Sequence, residues 1–166
     1  VRDNRINMIY EGTNTIQSLD LLGRKVLGNN GATLKKFGKI IGALIAEEGV
    51  NEKMAEFINP LAYLADQMTK FTTELGFKGF QNPDEVGAAA VDYLRVAGHL
   101  VFGYFWARMA QTALREIAGG NADPFYLAKV QTARFYFAKL FPETATLMRT
   151  ARSGSKALMD TDAALA

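Results

Sequence analysis

The sequence predicts an all-α protein: an up-and-down four-helix bundle preceded by a short loop and helix. Apolar residues recur at steps of three and four along four long segments, which are separated by short stretches containing Gly, Asn or Pro. No segment alternates apolar and polar residues with a period of two, so a sheet is not expected. The chain has 166 residues, 49% of them hydrophobic, which is enough for one core.

A loop and a short helix open the chain. Thr13 or Asn14 is a natural N-cap, because its side-chain oxygen can accept a hydrogen bond from the first helical turn. The helix is expected over residues 15–27, and Gly28 ends it. Its apolar seam comprises Ile16, Leu19, Leu22 and Val26. The predicted parts, in chain order, are a loop–helix unit over 1–28, a bundle over 29–152 and a tail over 153–166.

The first two bundle helices are expected over residues 33–48 and from about Met54 to Leu75. In the second of these, apolar residues alternate strictly between steps of three and four, as in the seam of a left-handed bundle. Pro60 lies inside this run and predicts either a kink or a new helix start capped by Asn59. We expect a link over 76–83 to follow.

The last two bundle helices follow the same apolar pattern and differ from each other in length. The longest helix is predicted from Pro83 to Gly119, where a Gly-Gly-Asn stretch ends it. Asp123 then caps the last helix, which Pro142 should kink near Phe141.

Histidine and aromatic side chains on these helices are expected to serve the structure. His99 lacks the paired Glu-x-x-His pattern of a di-iron bundle, so no metal site is predicted. The stretch Phe102–Trp106 is similar to the lining of a ligand pocket, but aromatic residues at helical spacing more often form a core or an interface. Phe135, Tyr136 and Phe137 occupy successive positions, so one side of this helix should meet something other than the bundle core, such as another domain or subunit.

Composition narrows the class of protein. The net charge of +2 is close to balance, so neither nucleic acid nor a membrane is expected as a partner. The sequence has no cysteine, signal peptide or apolar run of bilayer length, which fits a cytoplasmic protein. The chain starts with Val1 rather than Met, which indicates the C-terminal piece of a longer polypeptide.

One carboxylate stands out near the start, in the segment Tyr10-Glu11-Gly12-Thr13-Asn14. Glu11 should lie in a loop directly ahead of the first helix, where Gly12 lets the backbone approach a ligand closely. On chemistry alone, a single Glu without partner groups is most often a solvated loop residue.

The sequence motif around Glu11 is more informative about function than the chemistry of this one carboxylate. The segment, followed by Ile16-Gln17 and preceded by Arg2-Asp3 and Arg5-Ile6, resembles the catalytic-base segment of the acyl-CoA dehydrogenases. The continuation Leu19-Asp20-Leu21-Leu22-Gly23-Arg24-Lys25 is similar to the larger bacterial members, among them the 3-methylmercaptopropionyl-CoA dehydrogenase group. The rest of the chain is similar, more loosely, to the extra C-terminal helical domain of those members.

This resemblance implies an FAD-dependent enzyme that oxidises an acyl-CoA thioester to the 2,3-enoyl-CoA. It assigns to Glu11 the removal of the α proton while flavin N5 takes a hydride from the β carbon, and it places Gly12 beside the substrate. The implied cofactor contacts are Thr13, Asn14, Thr15 and Gln17. The resemblance also implies upstream catalytic domains, an electron-transfer flavoprotein as acceptor and a homo-oligomer. Because the upstream domains build most of the site, this chain alone is expected to be inactive.

The main alternative is a non-catalytic helical bundle for interaction or oligomerisation, in which Glu11 is only a loop residue. Flavin and β domains upstream in the parent would favour the enzyme, and their absence would favour the module. A membrane-associating appendage is a weaker alternative, because no helix pairs a Lys/Arg-rich face with an exposed apolar one.

Overall fold

The computed structural model describes residues 5–6 and 13–160, and this part of the chain contains helices and no strand. The all-α prediction is therefore confirmed. The α-helices, in chain order, are α1 (Asn14–Leu19), α2 (Ala32–Glu48), α3 (Ala55–Gln81), α4 (Asp84–Ala118), α5 (Pro124–Phe135), α6 (Glu143–Ala151) and α7 (Lys156–Met159). Two π-helical turns, Asp20–Val26 and Tyr136–Leu140, continue α1 and α5 respectively.

Contacts between the long helices show an up-and-down arrangement. Phe71 of α3 packs on Tyr93 of α4, whereas Leu61, earlier in α3, lies beside Gly103, later in α4, so these two helices run antiparallel. His99 of α4 contacts Tyr136, and the preceding Arg95 reaches Glu143 of α6, so the last helix also runs antiparallel to α4.

Helix α2 runs in the same direction as α4. Phe37 of α2 meets Tyr104 of α4, and Glu48 at the end of α2 meets Gln111 further along α4. The four long helical segments thus alternate in direction along the chain, as predicted for a four-helix bundle.

Helix α4 is the central element of the fold. It spans 35 residues, packs against α1, α3, α5 and α6, and contacts α2 through Phe37–Tyr104 and Glu48–Gln111. A helix with neighbours on nearly every side needs no single polar face, which explains why apolar and small residues are spread around α4. One glycine on it is required sterically: an ideal Cβ at Gly103 would lie 2.7 Å from Cε2 of Phe141.

The predicted link over 76–83 is wrong. Helix α3 continues through Gly76 to Gln81, and only Asn82 and Pro83 separate it from α4. One glycine inside a helix costs only about 1 kcal/mol. Proline is the stronger signal, because it disfavours helical geometry in the residue before it. Asn82 accordingly has φ −142° and ψ 106°.

Pro60 does not restart the helix, so the predicted cap at Asn59 is not formed. Helix α3 begins at Ala55 and is continuous through Pro60. Proline has no N–H to donate to the carbonyl of residue Glu56, so the helix lacks one backbone hydrogen bond at this position.

Pro142 does interrupt the last helix, as predicted. The π-turn Tyr136–Leu140 comes first, and the N–H of Phe141 donates to the carbonyl of Tyr136 at 2.9 Å. Helix α6 starts after Pro142. The turn places Tyr136 and Phe137 in the core and leaves Phe135 exposed, which confirms that one of the three aromatic residues faces outward.

The first helix differs from its predicted seam. Helix α1 and the π-turn bury Leu22 and Val26, as expected, but the residue buried one turn earlier is Ser18, and Ile16 and Leu19 are exposed. The buried residues Ser18, Leu22 and Val26 are thus four positions apart. Because Ser18 is polar, a pattern of apolar residues alone does not include it.

Candidate functional site

The predicted cofactor-contacting residues lie in the first turns of α1. Asn14, Thr15 and Gln17 are exposed and Thr13 is half-buried. The amide Nε2 of Gln17 donates to Oγ1 of Thr13 at 3.1 Å, and Thr13 makes no side-chain capping bond to the backbone. The structure thus brings these four polar side chains onto one short stretch. Glu11 and Gly12 lie outside the described residues, and their roles stay predictions.

Ser18 anchors this stretch to the bundle. Its side chain is fully buried, and its Oγ donates to the carbonyl of Thr15 at 2.7 Å. Because the hydroxyl is satisfied within its own helix, Ser18 can be buried beside another element without leaving an unpaired polar group. Helix α1 packs against α4, so the polar residues on its other side stay accessible.

The polar residues at the start of α1 carry hydrogen-bonding groups of the kind that a flavin site requires. Hydroxyl and amide groups at the start of a helix can donate to and accept from the polar edge of an isoalloxazine ring, and the N-terminal end of a helix favours electron-rich groups. A single short stretch of side chains can contact only one side of such a ligand, so a complete site would need walls from other elements.

His99 takes part in a hydrogen-bond cluster between α4 and the last helix. Its Nδ1 lies 3.0 Å from the hydroxyl of Tyr136 and its Nε2 lies 3.2 Å from Oε2 of Glu143, which also pairs with Arg95. Burial raises the pKa of Tyr136 to about 12. Within the described ranges, no three His, Asp or Glu side chains converge as a metal site would require. The cluster connects α4 to α6 across the break at Pro142.

A second polar cluster joins the end of α2 to α4. Glu48 is only 3% exposed and accepts hydrogen bonds from Gln111 Nε2 at 2.5 Å, Arg115 Nη2 at 2.6 Å and Asn51 Nδ2 at 2.7 Å. Burial raises the pKa of the Glu48 carboxyl, but these hydrogen bonds outweigh burial and hold the pKa below its ordinary value. Sequence reasoning did not find this cluster, because no local pattern links residues about 60 positions apart.

A groove of about 1020 Å³ opens at the end of the bundle where α3 meets α4. The π-turn Asp20–Val26 and the loop that follows it form one side of the groove. The start of α2 and the end of α3 form the other sides. Apolar side chains dominate its lining, including Leu27, Leu34, Phe77, Phe80 and Val86. It is therefore separate from the polar stretch at the start of α1.

The described helices define a class of protein: an all-α helical-bundle domain. The family model described as "Acetyl-CoA dehydrogenase C-terminal like" matches residues 34–162, and the chain belongs to this family.

Individual relatives agree with that assignment. The chain is 34% identical over 145 residues to 3-methylmercaptopropionyl-CoA dehydrogenase of Ruegeria pomeroyi, and the matched region covers 86% of this chain and 24% of the relative. It is 30% identical over 148 residues to butyryl-CoA dehydrogenase of Syntrophomonas wolfei, which covers 85% and 24%. It is 25% identical over 173 residues to the broad-specificity linear acyl-CoA dehydrogenase of Mycobacterium tuberculosis, which covers 99% and 28%.

The chain therefore spans about a quarter of the length of the curated relatives it matches. The resemblance to the acyl-CoA dehydrogenases that the Glu11 segment indicated is confirmed at the level of the family. Among residues 5–6 and 13–160, no helix has both the length and the apolar character that crossing a bilayer requires.

Proposed function

We propose that this chain is the C-terminal part of an FAD-dependent acyl-CoA dehydrogenase, and that Glu11 is its catalytic base. The observation that carries the proposal is the position of the Glu11 segment. It immediately precedes a helix whose polar side chains are accessible and whose opposite side is anchored by Ser18. The relatives are named as dehydrogenases of acyl-CoA thioesters, which supports this substrate class.

Glu11 would act on a weakly acidic proton. The proton on the carbon α to a thioester needs a positioned carboxylate, and a dry site raises the pKa of that carboxylate and makes it a stronger base. FAD, when bound, supplies the acceptor for the hydride that leaves the β carbon. Gly12 would border the thioester, and Thr13, Asn14, Thr15 and Gln17 would hydrogen-bond the cofactor, with Ser18 keeping their helix in place.

The remaining parts of the proposal concern the parent polypeptide. Upstream domains would complete the flavin and thioester sites, so the 166-residue chain alone would be inactive. An electron-transfer flavoprotein would take the electrons, the parent would form a homo-oligomer, and the cytoplasm remains its expected location.

The test is Glu11→Gln in the full-length parent. The variant should retain flavin, as judged by its visible absorbance, but the rate at which an acyl-CoA bleaches that flavin should fall by about 100- to 10,000-fold, since a general base contributes that much. Glu52→Gln, at an exposed position in the short 3₁₀ turn before α3, is the matched control and should bleach at the wild-type rate.

Two outcomes would contradict the proposal. If Glu11→Gln bleached as fast as wild type, another residue would be the base. If the wild-type parent held no flavin at all, the chain would belong to a helical interaction module and not to an enzyme.

A further inference from the structure

We propose that the apolar groove at the end of the bundle binds a free long-chain carboxylate. The hydrocarbon chain lies along the end of α3, and the carboxylate meets the ammonium group of Lys35 on α2. This site is separate from the polar start of α1, so the inference goes beyond the proposed function and does not depend on it.

The groove is large and elongated. Its volume of about 1020 Å³ is that of a generous small-molecule site. The residues of α3 that line it extend from Thr69 to Gln81, which corresponds to about 18 Å at the rise of an α-helix. A space of this form suits an extended chain better than a compact ring system.

Glycine residues on three sides keep the groove open. They are Gly23, Gly28, Gly31, Gly38, Gly76 and Gly79. An ideal Cβ at Gly23 or Gly38 would meet no neighbouring atom within 4 Å among the residues that the structure describes, so packing does not require glycine at either position. Both positions are helical, and glycine makes a helix less stable than alanine would. The empty space in front of these two glycines is the space that a ligand would fill.

The hydroxyl groups on the α3 wall are already occupied. Thr69, Thr72 and Thr73 each donate to the carbonyl four residues earlier in the helix, at 2.7–3.0 Å. A hydroxyl that is bonded within its own helix leaves the methyl group as the part available to a ligand. This wall therefore suits hydrocarbon, whereas a sugar or a nucleotide would lose hydrogen bonds to water without replacing them.

Two aromatic rings complete the apolar lining. Phe77 and Phe80 line the groove and are nevertheless 73% and 93% exposed. An apolar chain bound beside them would remove part of this ring surface from water, which is the main favourable contribution to binding of this kind.

Charge determines the head group. Lys35 is the one charged side chain among the described residues that line the groove. No ion pair within residues 5–6 and 13–160 includes it. The amides of Asn30 and Gln81, which also line the groove, can donate further hydrogen bonds to an anion. One cation balances one carboxylate, whereas a head group with several phosphates would need more cations than this lining offers.

The experiment is isothermal titration calorimetry of the 166-residue chain with dodecanoate below its micelle concentration. We expect one site per chain with a Kd of about 10–100 μM, as is usual for a ligand of this size. Decanoate should bind more weakly by about three- to fourfold for each CH₂ that it lacks. Dodecyltrimethylammonium, which has the same chain and the opposite charge, should bind at least about fivefold more weakly. No saturation up to about 1 mM dodecanoate, or equal affinity for the two head groups, would overturn the proposal.

Matched variants locate the head group. Lys35→Gln should weaken dodecanoate binding about three- to tenfold, because an exposed charge-assisted hydrogen bond is lost. Lys36→Gln is the control, since Lys36 is exposed on the same helix but is not among the described lining residues. Equal losses in the two variants would refute the assignment of Lys35.

A second pair of variants locates the chain. Gly38→Leu puts a side chain into the open space of the groove and should weaken binding at least about tenfold, because ligand and side chain compete for one volume. Gly42→Leu also enters open space on α2 but lies outside the described lining, so it should leave the affinity unchanged. Urea unfolding confirms that each variant is folded. Unchanged affinity in Gly38→Leu would overturn the proposed site.

Methyl NMR gives a readout without any substitution. The methyl signals of Leu27, Leu34 and Val86 should shift as dodecanoate is added, because these residues line the groove. The signals of Leu147, a buried residue of α6 outside the described lining, should not shift. Shifts at Leu147 without shifts at the three lining residues would place the ligand elsewhere and overturn the proposal.

Titration of the full-length parent separates this inference from the proposed function. The parent should show a dodecanoate-binding event that Gly38→Leu removes. Binding by the 166-residue chain but not by the parent would mean that protein covers the groove, and it would overturn the ligand site. None of these outcomes bears on whether Glu11 is the base, because no flavin is bleached in this assay.

Discussion

Replacing Glu48 by glutamine changes only one carboxylate oxygen to an amide nitrogen, yet it is expected to destabilise the bundle strongly. The carboxylate is almost fully buried and accepts three hydrogen bonds of 2.5–2.7 Å, one of them from a guanidinium. A glutamine side chain keeps one acceptor and points an amide N–H₂ at the other donors. Hydrogen bonds to a charged group contribute about 1.5–3 kcal/mol, and breaking a buried ionic cluster costs about 3–5 kcal/mol. Because Arg115 retains Glu47 at 2.9 Å, we expect a loss of about 2–3 kcal/mol at pH 7.

The assay is equilibrium urea unfolding followed by circular dichroism at a helical wavelength, together with thermal melting. For a domain of this size the loss corresponds to a fall in Tm of about 5–10 °C. Glu47→Gln is the matched control: Glu47 neighbours Glu48 and also pairs with Arg115, but its side chain is 46% exposed, so its replacement should have much less effect.

The pH dependence gives a second, independent check. The pKa of Glu48 is lower in the folded protein than its ordinary value of 4.5. The stability that it contributes is therefore complete above the pKa of the unfolded chain and is lost as pH falls through the folded-state pKa. The difference between wild type and Glu48→Gln should be largest at neutral pH and should shrink in acid. A loss no larger than that of Glu47→Gln, or one that did not change down to strongly acidic pH, would refute this reasoning.

Two further predictions concern packing. Gly79→Ala places a Cβ 2.5 Å from Cγ2 of Val86 and should lower the free energy of unfolding by about 1–3 kcal/mol. Gly38→Ala meets open space inside a helix and should raise the free energy of unfolding by about 0.5–1 kcal/mol. Urea unfolding measures both changes, and two changes of the same sign would contradict the packing described. The hydroxyls of Thr72 and Tyr93 are 2.7 Å apart, and Thr72 already donates to a backbone carbonyl, so Tyr93 is the donor. Thr72→Val therefore orphans a buried O–H and should cost about 1–3 kcal/mol, more than Tyr93→Phe, which leaves Thr72 with its carbonyl partner; the reverse order in thermal melts would reject this assignment of the donor.

Periodicity and strong breakers predicted most of the fold. The apolar seams placed all four long helical segments, and Pro83, Asp123 and Pro142 mark real starts or breaks, because their effects are local to the backbone. Gly76 and Gly79 do not end α3, since a helix with tertiary support tolerates glycine. Ile16 and Leu19 are exposed although they continue the apolar seam, because a sequence pattern does not distinguish an exposed apolar residue from a core residue.

The candidate site was less predictable from the residues than the fold. Glu11 drew notice through its family resemblance, since its own chemistry is that of an ordinary loop carboxylate. Ser18, which holds the first helix on the bundle, gave no signal, because a lone serine in an apolar pattern usually faces solvent. Aromatic residues at helical spacing fit a ligand pocket, a core or an interface, and the exposure of Phe102 and Phe105 excludes the core for these two rings.

The π-turn Tyr136–Leu140 has a consequence for how this chain can change through evolution. A π-helical turn holds one residue more than the α-helical turn it replaces, so it corresponds to a single-residue insertion that the fold has absorbed. If that extra residue were held in α-helical geometry instead, the following helix would rotate by about 100° and turn Leu147 and Met148 away from the core, whereas deleting it should restore an α-turn with both residues still buried. At this place the fold can therefore accommodate a change in the number of residues, provided that the geometry of the turn changes with it.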